Sequence, residues 1–144
     1  MRALVISGGG SKGSFAGGVA QYLIEEKKKN YDLLIGTSTG SLMITHLALG
    51  RVKELNEIYS NVDQSTIFSI CPFRIKKFKG HQVVSINHRN TIRNFMRGSK
   101  TFGESHNLKK MIDEQITDEF LEAASRSGKK LMVTVSNLTL NRVE

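Results

Sequence analysis

Apolar positions along the chain fall into short unbroken runs and longer helical stripes, and their order predicts the architecture. Ala3 to Ile6 is a short apolar run closed by glycine, the pattern of a buried strand. After the glycines, Phe15, Val19, Tyr22 and Leu23 recur at helical spacing from Ser14 onward, and Lys27 to Lys29 suit the negative end of that helix. Leu33 to Ile35 is a second apolar run that meets Gly36, and the stretch from Thr39 to Leu49 has helix-compatible apolar content. Strand, glycine turn and helix thus occur twice in succession, which predicts a parallel sheet covered by helices.

Beyond Gly50, Val52, Leu55, Ile58 and Tyr59 lie on one helical stripe, followed by a basic, aromatic segment around Pro72 to Gly80. Leu108, Met111, Ile112 and Ile116, then Phe120, Leu121 and Ala124, predict one or two amphipathic helices that stop at Gly128 and the two lysines after it. Leu131 to Val135 is the third strand candidate, and the alternation of Leu138 and Leu140 with polar residues predicts another strand or hairpin arm. The pattern carries no convincing repeat and no low-complexity linker.

Composition narrows this picture. With 144 residues, 39% hydrophobic and 24% charged, the chain has the apolar material for one globular domain. Its longest apolar stretches are broken well short of the roughly 20 residues of a membrane-spanning helix, and the N-terminus lacks the pattern of a signal peptide. A cytoplasmic or peripheral membrane location is expected. The lone Cys71 excludes an internal disulfide, and the four scattered histidines make no zinc spacing, so no metal is expected. The formal charge of +8 favours anionic partners, although it is spread in short groups: Lys27 to Lys29, then Arg74, Lys76, Lys77 and Lys79, then Lys129 and Lys130.

Two glycine motifs carry the candidate chemistry. Gly36, Thr37, Ser38, Thr39 and Gly40 fit G-x-S-x-G, in which a serine on a tight strand-to-helix turn is held strained with its hydroxyl exposed. The small residues Gly36 and Gly40 let strand and helix pass closely, and the amide of Thr39, at the helix N-terminus, helps stabilise a developing oxyanion. Gly8, Gly9, Gly10, Ser11, Lys12 and Gly13 follow the first strand, and consecutive glycines turn backbone amides outward without blocking a ligand. The same hexapeptide satisfies G-x-G-x-x-G, so a dinucleotide- or nucleotide-binding module is the alternative. That reading requires an acidic residue at the end of the second strand, whereas Asp32 precedes that strand and Gly36 and Thr37 end it. A Walker loop is excluded because Lys12 is followed by glycine.

Taken together, GGGSKG and GTSTG resemble the patatin-like phospholipase family, whose pattern is a G-G-G-x-[KR]-G loop after the first strand and a G-x-S-x-G elbow after the second. The resemblance covers about the first 50 residues in order, spacing and strand context, with Lys12 as the basic residue. It implies an α/β three-layer sandwich with a central, mainly parallel sheet, of which this chain would be the N-terminal portion of a single domain, incomplete at the C-terminus. It further implies a lipid acyl hydrolase that needs no cofactor and acts on phospholipid or another lipid ester. Ser38 would be its nucleophile and the Gly9 and Gly10 amides its oxyanion donors, with Gly8 and Gly13 permitting the turn and Lys12 orienting the loop. The family uses a serine and aspartate dyad, with the aspartate in a later D-G-G or D-G-A segment. Asp32, Asp63, Asp113 and Asp118 are followed by Leu, Gln, Glu and Glu, so the dyad aspartate is expected beyond residue 144 and little turnover is expected from this chain.

A histidine base is the weaker expectation. His46 stands eight residues along the second helix, about 12 Å of rise from Ser38. His81, His88 and His106 sit in no motif that predicts their placement, and surface or locally hydrogen-bonded roles are expected for all four. The segment Phe73 to Lys79 reads first as a solvated loop with its apolar residues tucked inward. Docking on an anionic membrane surface is the alternative, and a non-catalytic membrane or protein-interaction domain is the corresponding rival function. Nucleic acid suits the same composition but is not expected as a partner, and nothing in the sequence sets an oligomeric state.

Overall fold

In the computed structural model, which describes residues 1–99 and 103–144, both strand, turn and helix units form as the apolar pattern predicts. Strand β1 (Ala3–Ile6) leads through a single 3-10 turn at Gly10–Lys12 into helix α1 (Gly13–Gln21), which continues as a π turn over Tyr22–Glu26. Strand β2 (Leu33–Thr37) leads directly into α2 (Thr39–Ala48), and α3 (Val52–Asn61) follows. After α4 (Gln64–Ile67), β3 (Phe73–Phe78), β4 (His81–Ile86), α5 (His88–Met96) and α6 (His106–Gln115), the chain forms α7 (Asp118–Ser125) and β5 (Lys130–Thr134). The short strands β6 (Ser136–Asn137) and β7 (Arg142–Val143) end it.

The chain divides into two compact units, one comprising 1–61 and 116–144, the other 62–115. In the first, β1, β2 and β5 make a parallel sheet in the order β1-β2-β5, with Leu4 opposite Leu34 and Leu34 opposite Leu131. Parallel neighbours need a crossover. Helix α1, which supplies the one between β1 and β2, packs on α3 and α2 and buries Gly13, Gly17 and Ala20, while Phe15, Val19 and Tyr22 of the expected apolar stripe are exposed. Helix α2 packs against all three strands and against α1, α3 and α7. A helix in that position is enclosed all round, and Met43, Ile44, Thr45, His46, Leu47 and Ala48 are consecutively buried. Met43, Ile44, Leu47 and Ala48 form the core with Leu34, Leu55, Val52 and Ala124, and each large apolar side chain there contributes roughly 1.5–3 kcal/mol.

This is the mixed α/β fold with a parallel sheet that the sequence predicts. The helices cover the face of Leu4, Ile6 and Leu34, while the opposite face carries Val5 and Met132, both more than half exposed. A further layer on that face, as in the expected three-layer sandwich, is not among the described residues.

Two local expectations change. Leu138 and Leu140 lie in the turn of the β6–β7 hairpin instead of in a strand, since the Asn137 side chain accepts from the Leu140 amide and Asn141 adopts a φ of 47°. The second unit contains the antiparallel hairpin β3–β4, so Phe73 to Lys79 is no loop with inward apolar residues: every residue of both strands is exposed. Lys79 and Gly80, both at positive φ, make the two-residue connection that matches strand twist. No helix among the described residues is long and apolar enough to cross a membrane.

Candidate active site

Parallel strands end on the same side of the sheet, so the turns after β1 and β2 stand next to each other at their carboxyl ends. Both motifs occupy these turns, each at the start of the helix that follows.

Ser38 sits between β2 and α2 with φ 53° and ψ −123°, a conformation L residues rarely adopt, and its side chain is exposed. Its Oγ makes no hydrogen bond among the described residues, while its carbonyl accepts from the Ser41 amide at 2.9 Å. The sharpness of the turn explains the glycines around it. A Cβ on Gly36 would stand 2.5 Å from the Gly40 carbonyl oxygen, and one on Gly40 would stand 2.2 Å from the carbonyl oxygen of Ile6. Strand and helix therefore cross at backbone contact, as the G-x-S-x-G spacing predicts.

The glycine loop lies directly against this turn. A Cβ on Gly8 would come within 2.7 Å of the Ser38 Cβ and 3.5 Å of its Oγ. Gly9 donates its amide to the Thr39 hydroxyl at 3.3 Å, which ties the two turns together. Gly10, at φ 54°, opens the 3-10 turn, where the first amides have no partner inside the turn. Lys12 is exposed and closes that turn through its amide, which donates to the Gly9 carbonyl at 3.1 Å. Gly13, the first residue of α1, is buried where a Cβ would meet the Tyr59 ring at 2.8 Å and Met43 at 2.9 Å. All the residues read from the two motifs are thus brought together, with the Gly9 amide engaged by Thr39.

Tyr59 is a neighbour that the two motifs do not reveal. Its hydroxyl donates to the Thr39 carbonyl at 3.1 Å while its ring packs under Gly13, so one side chain braces both turns. The only sequence signal is its place on the α3 stripe. Burial pushes its phenol up to about 12. The folded state therefore keeps this proton where the unfolded chain, with an ordinary value of 10.0, has lost it. That contribution is intact below about pH 10 and disappears as pH rises through about 12. Tyr59→Phe is expected to flatten the loss of stability over this interval, measured as urea midpoints at about pH 9 and pH 11.5. An identical pH slope in the variant would place the titration elsewhere.

The described residues supply no base to Ser38. Asp32 lies at the other end of β2, accepting from the Arg2 amide at 2.7 Å and facing the N-terminal ammonium at 3.7 Å. That position also denies a dinucleotide its ribose-binding acid. Asp63 caps α4, where the Ser65 hydroxyl and the Thr66 amide hold its carboxyl down to about 2. Asp113 is on α6, and Asp118 is in the first turn of α7, which Thr117 caps. His46 is buried on α2, its Nδ1 3.1 Å from the Leu42 carbonyl and its ring 4.8 Å from that of Phe120. It has the locally bonded role expected of it. His81, His88 and His106 are exposed at the starts of β4, α5 and α6.

A family model for patatin-like phospholipase matches residues 4–143. The uncharacterized protein L620 of Acanthamoeba polyphaga mimivirus is 32% identical over 101 residues, a match that covers 63% of this chain and 27% of that protein. The chain thus matches about a quarter of its relative's length. No solved structure matches it.

Proposed function

The chain belongs to the patatin-like phospholipase family, and from that premise we propose that Ser38 is the nucleophile of a lipid ester hydrolase. The observation that carries this reading is the close approach of Gly8 to Ser38, which sets a strained, exposed hydroxyl beside the glycine loop.

In the reaction, Ser38 Oγ attacks the ester carbonyl carbon and the carbonyl π electrons move onto oxygen. The amides of Thr39, Gly9 and Gly10 receive that charge, one such donor typically contributing about 2.7–4 kcal/mol in the transition state. The Gly9 amide must first exchange the Thr39 hydroxyl for the substrate oxygen. Collapse of the tetrahedral species expels the lipid alcohol and leaves an acyl-serine, which water then hydrolyses.

The proton released by Ser38 passes to a base and from it to the leaving alcohol. By family resemblance that base is an aspartate in a D-G-G or D-G-A segment, a context no aspartate of this sequence has. The 144-residue chain is therefore proposed to react slowly and to turn over little. Donor amides alone retain part of the acceleration when the base is lost.

A fluorophosphonate probe tests the assignment. Slow covalent labelling mapped to Ser38 is expected in this chain, faster labelling in a longer one carrying the aspartate segment, and none in Ser38→Ala. Labelling that survives in Ser38→Ala would defeat the reading.

A further inference from the structure

Between Asp63 and Glu104 the second unit contains eight lysines and arginines and not one acidic residue. Across the β3–β4 register the side chains sort by face. Phe73 and Ile75 lie opposite Ile86 and Val84 on one face, while Arg74 and Lys76 lie on the other with Ser85 and Val83. Beyond them Lys77, Phe78 and Lys79 form the tip, with Phe78 63% exposed. Neither face of the hairpin is buried among the described residues.

Helix α5 repeats the combination. Arg89, Arg93 and Arg97, four residues apart, form a row beside Ile92 and Met96, which are 59% and 84% exposed, while Thr91 and Asn94 are buried. The base of the hairpin is fastened to this helix: the Asn87 amide donates to the Pro72 carbonyl at 2.7 Å and the Asn90 side chain to the Cys71 carbonyl at 2.9 Å. Two clefts meet at Arg93 and Arg97. One, of about 320 Å³, is lined also by Ser69, Cys71 and Asn90 and is polar. The other, of about 630 Å³, adds Arg89, Ile92 and Met96 and is mainly apolar. Among the described residues, no acid forms an ion pair with any basic side chain of the hairpin or of α5.

Unopposed cations interleaved with exposed aliphatic side chains suit one class of surface. Protein interfaces are depleted in lysine, whereas Lys76, Lys77 and Lys79 crowd the hairpin. Single-stranded nucleic acid is gripped by aromatic faces on which bases stack, whereas the exposed Phe73 and Phe78 are outnumbered here by the aliphatic Ile75, Val84, Ile86, Ile92 and Met96. An anionic bilayer accepts both groups at once, with aliphatic and phenyl groups entering the acyl boundary and lysine and arginine heads remaining at phosphate depth. We propose that hairpin β3–β4 and helix α5 together dock this chain on a bilayer rich in anionic lipid, with Arg93 and Arg97 meeting lipid phosphates. The proposal deepens the lipid hydrolase reading, from which only its purpose derives; its geometry does not involve Ser38.

Vesicle sedimentation decides it, using Ser38→Ala so that no turnover intervenes. The chain is expected to sediment with phosphatidylcholine vesicles containing about 30% phosphatidylserine, to remain free with phosphatidylcholine alone, and to be released as salt is raised. Each charge near such a surface contributes roughly fivefold in affinity, so Lys76→Gln with Lys77→Gln is expected to weaken binding about 25-fold. Phe78→Ser is expected to weaken it too, whereas Lys27→Gln with Lys28→Gln, outside this unit, leaves it unchanged. Equal binding to neutral vesicles, no binding to either, or equal losses from both lysine pairs would overturn the proposal. So would tighter binding to a single-stranded oligonucleotide than to anionic vesicles, or self-association that protects the hairpin. If a hairpin variant fails to fold, the comparison of anionic with neutral vesicles on the otherwise unaltered chain still decides. Absence of fluorophosphonate labelling leaves these results standing, and absence of sedimentation leaves the labelling of Ser38 standing.

Discussion

Gly40→Ala is expected to lower the stability of the chain by roughly 3 kcal/mol or more. The added carbon would stand 2.2 Å from the Ile6 carbonyl oxygen and 3.1 Å from the Ile6 side chain. The first of these contacts is with backbone, which cannot rotate away as a side-chain end does. Relief requires α2 to lift off β1 by about an ångström, and α2 is enclosed by the sheet and three helices, so the shift opens space throughout the core. The same movement carries Ser38 away from Gly8, so whatever protein still folds should also label poorly with the fluorophosphonate. Gly18→Ala is the matched control. Gly18 is exposed within α1 and a Cβ there meets nothing within 4 Å, so the change is expected to stabilise by about 0.5–1 kcal/mol through helix propensity. Urea unfolding of both variants measures the contrast. A Gly40→Ala midpoint equal to that of the parent would mean that strand and helix do not pass at backbone distance.

The crossing of β2 and α2 at Gly36 was legible because every part of it is local. A short apolar run, a glycine two residues before a serine and another two residues after it describe strand, sharp turn and helix within ten residues. Parallel pairing of the two strands then brings Gly8 to Ser38 without further information. Tyr59 was not legible in the same way, since its bond to Thr39 spans 20 residues and depends on how α3 settles against α1 and α2. The stripe Val52, Leu55, Ile58 and Tyr59 says that this face is buried and nothing about which carbonyl the phenol will meet.

The β3–β4 hairpin was hidden for a different reason. Phe73, Arg74, Ile75 and Lys76 alternate as a strand should, but a strand beside basic residues reads as a strand only when its partner and turn are recognised. Here the turn is Lys79–Gly80, with Lys79 at φ 47° where Asn or Asp would have been the familiar signal. Leu138 and Leu140 illustrate the converse. They alternate with polar residues, yet the Asn137 side chain closes a turn around them and the ladder forms on either side. Period-two alternation over so few residues does not separate a strand from the turn beside it.

Ser38→Gly is expected to make the chain more stable while abolishing its reaction with the fluorophosphonate. At φ 53° and ψ −123° a serine carries backbone strain of roughly 1–3 kcal/mol, and glycine adopts this conformation without that penalty. Against the gain stands the larger freedom of glycine in the unfolded chain, about 0.5–1 kcal/mol, which leaves a net stabilisation on the order of 1 kcal/mol. Ser38→Ala separates the two effects. It keeps a Cβ, and with it the strain, and removes only a hydroxyl that bonds to nothing among the described residues, so its urea midpoint should stay near that of the parent. Both variants lose the oxygen that attacks the probe. The combination of a raised midpoint in glycine, an unchanged one in alanine and labelling in neither is what a strained nucleophile requires, because an ordinary surface turn would lose stability on replacement by glycine. A lowered midpoint in Ser38→Gly would remove the strain from the argument, and with it the physical reason for holding the hydroxyl outward beside Gly8.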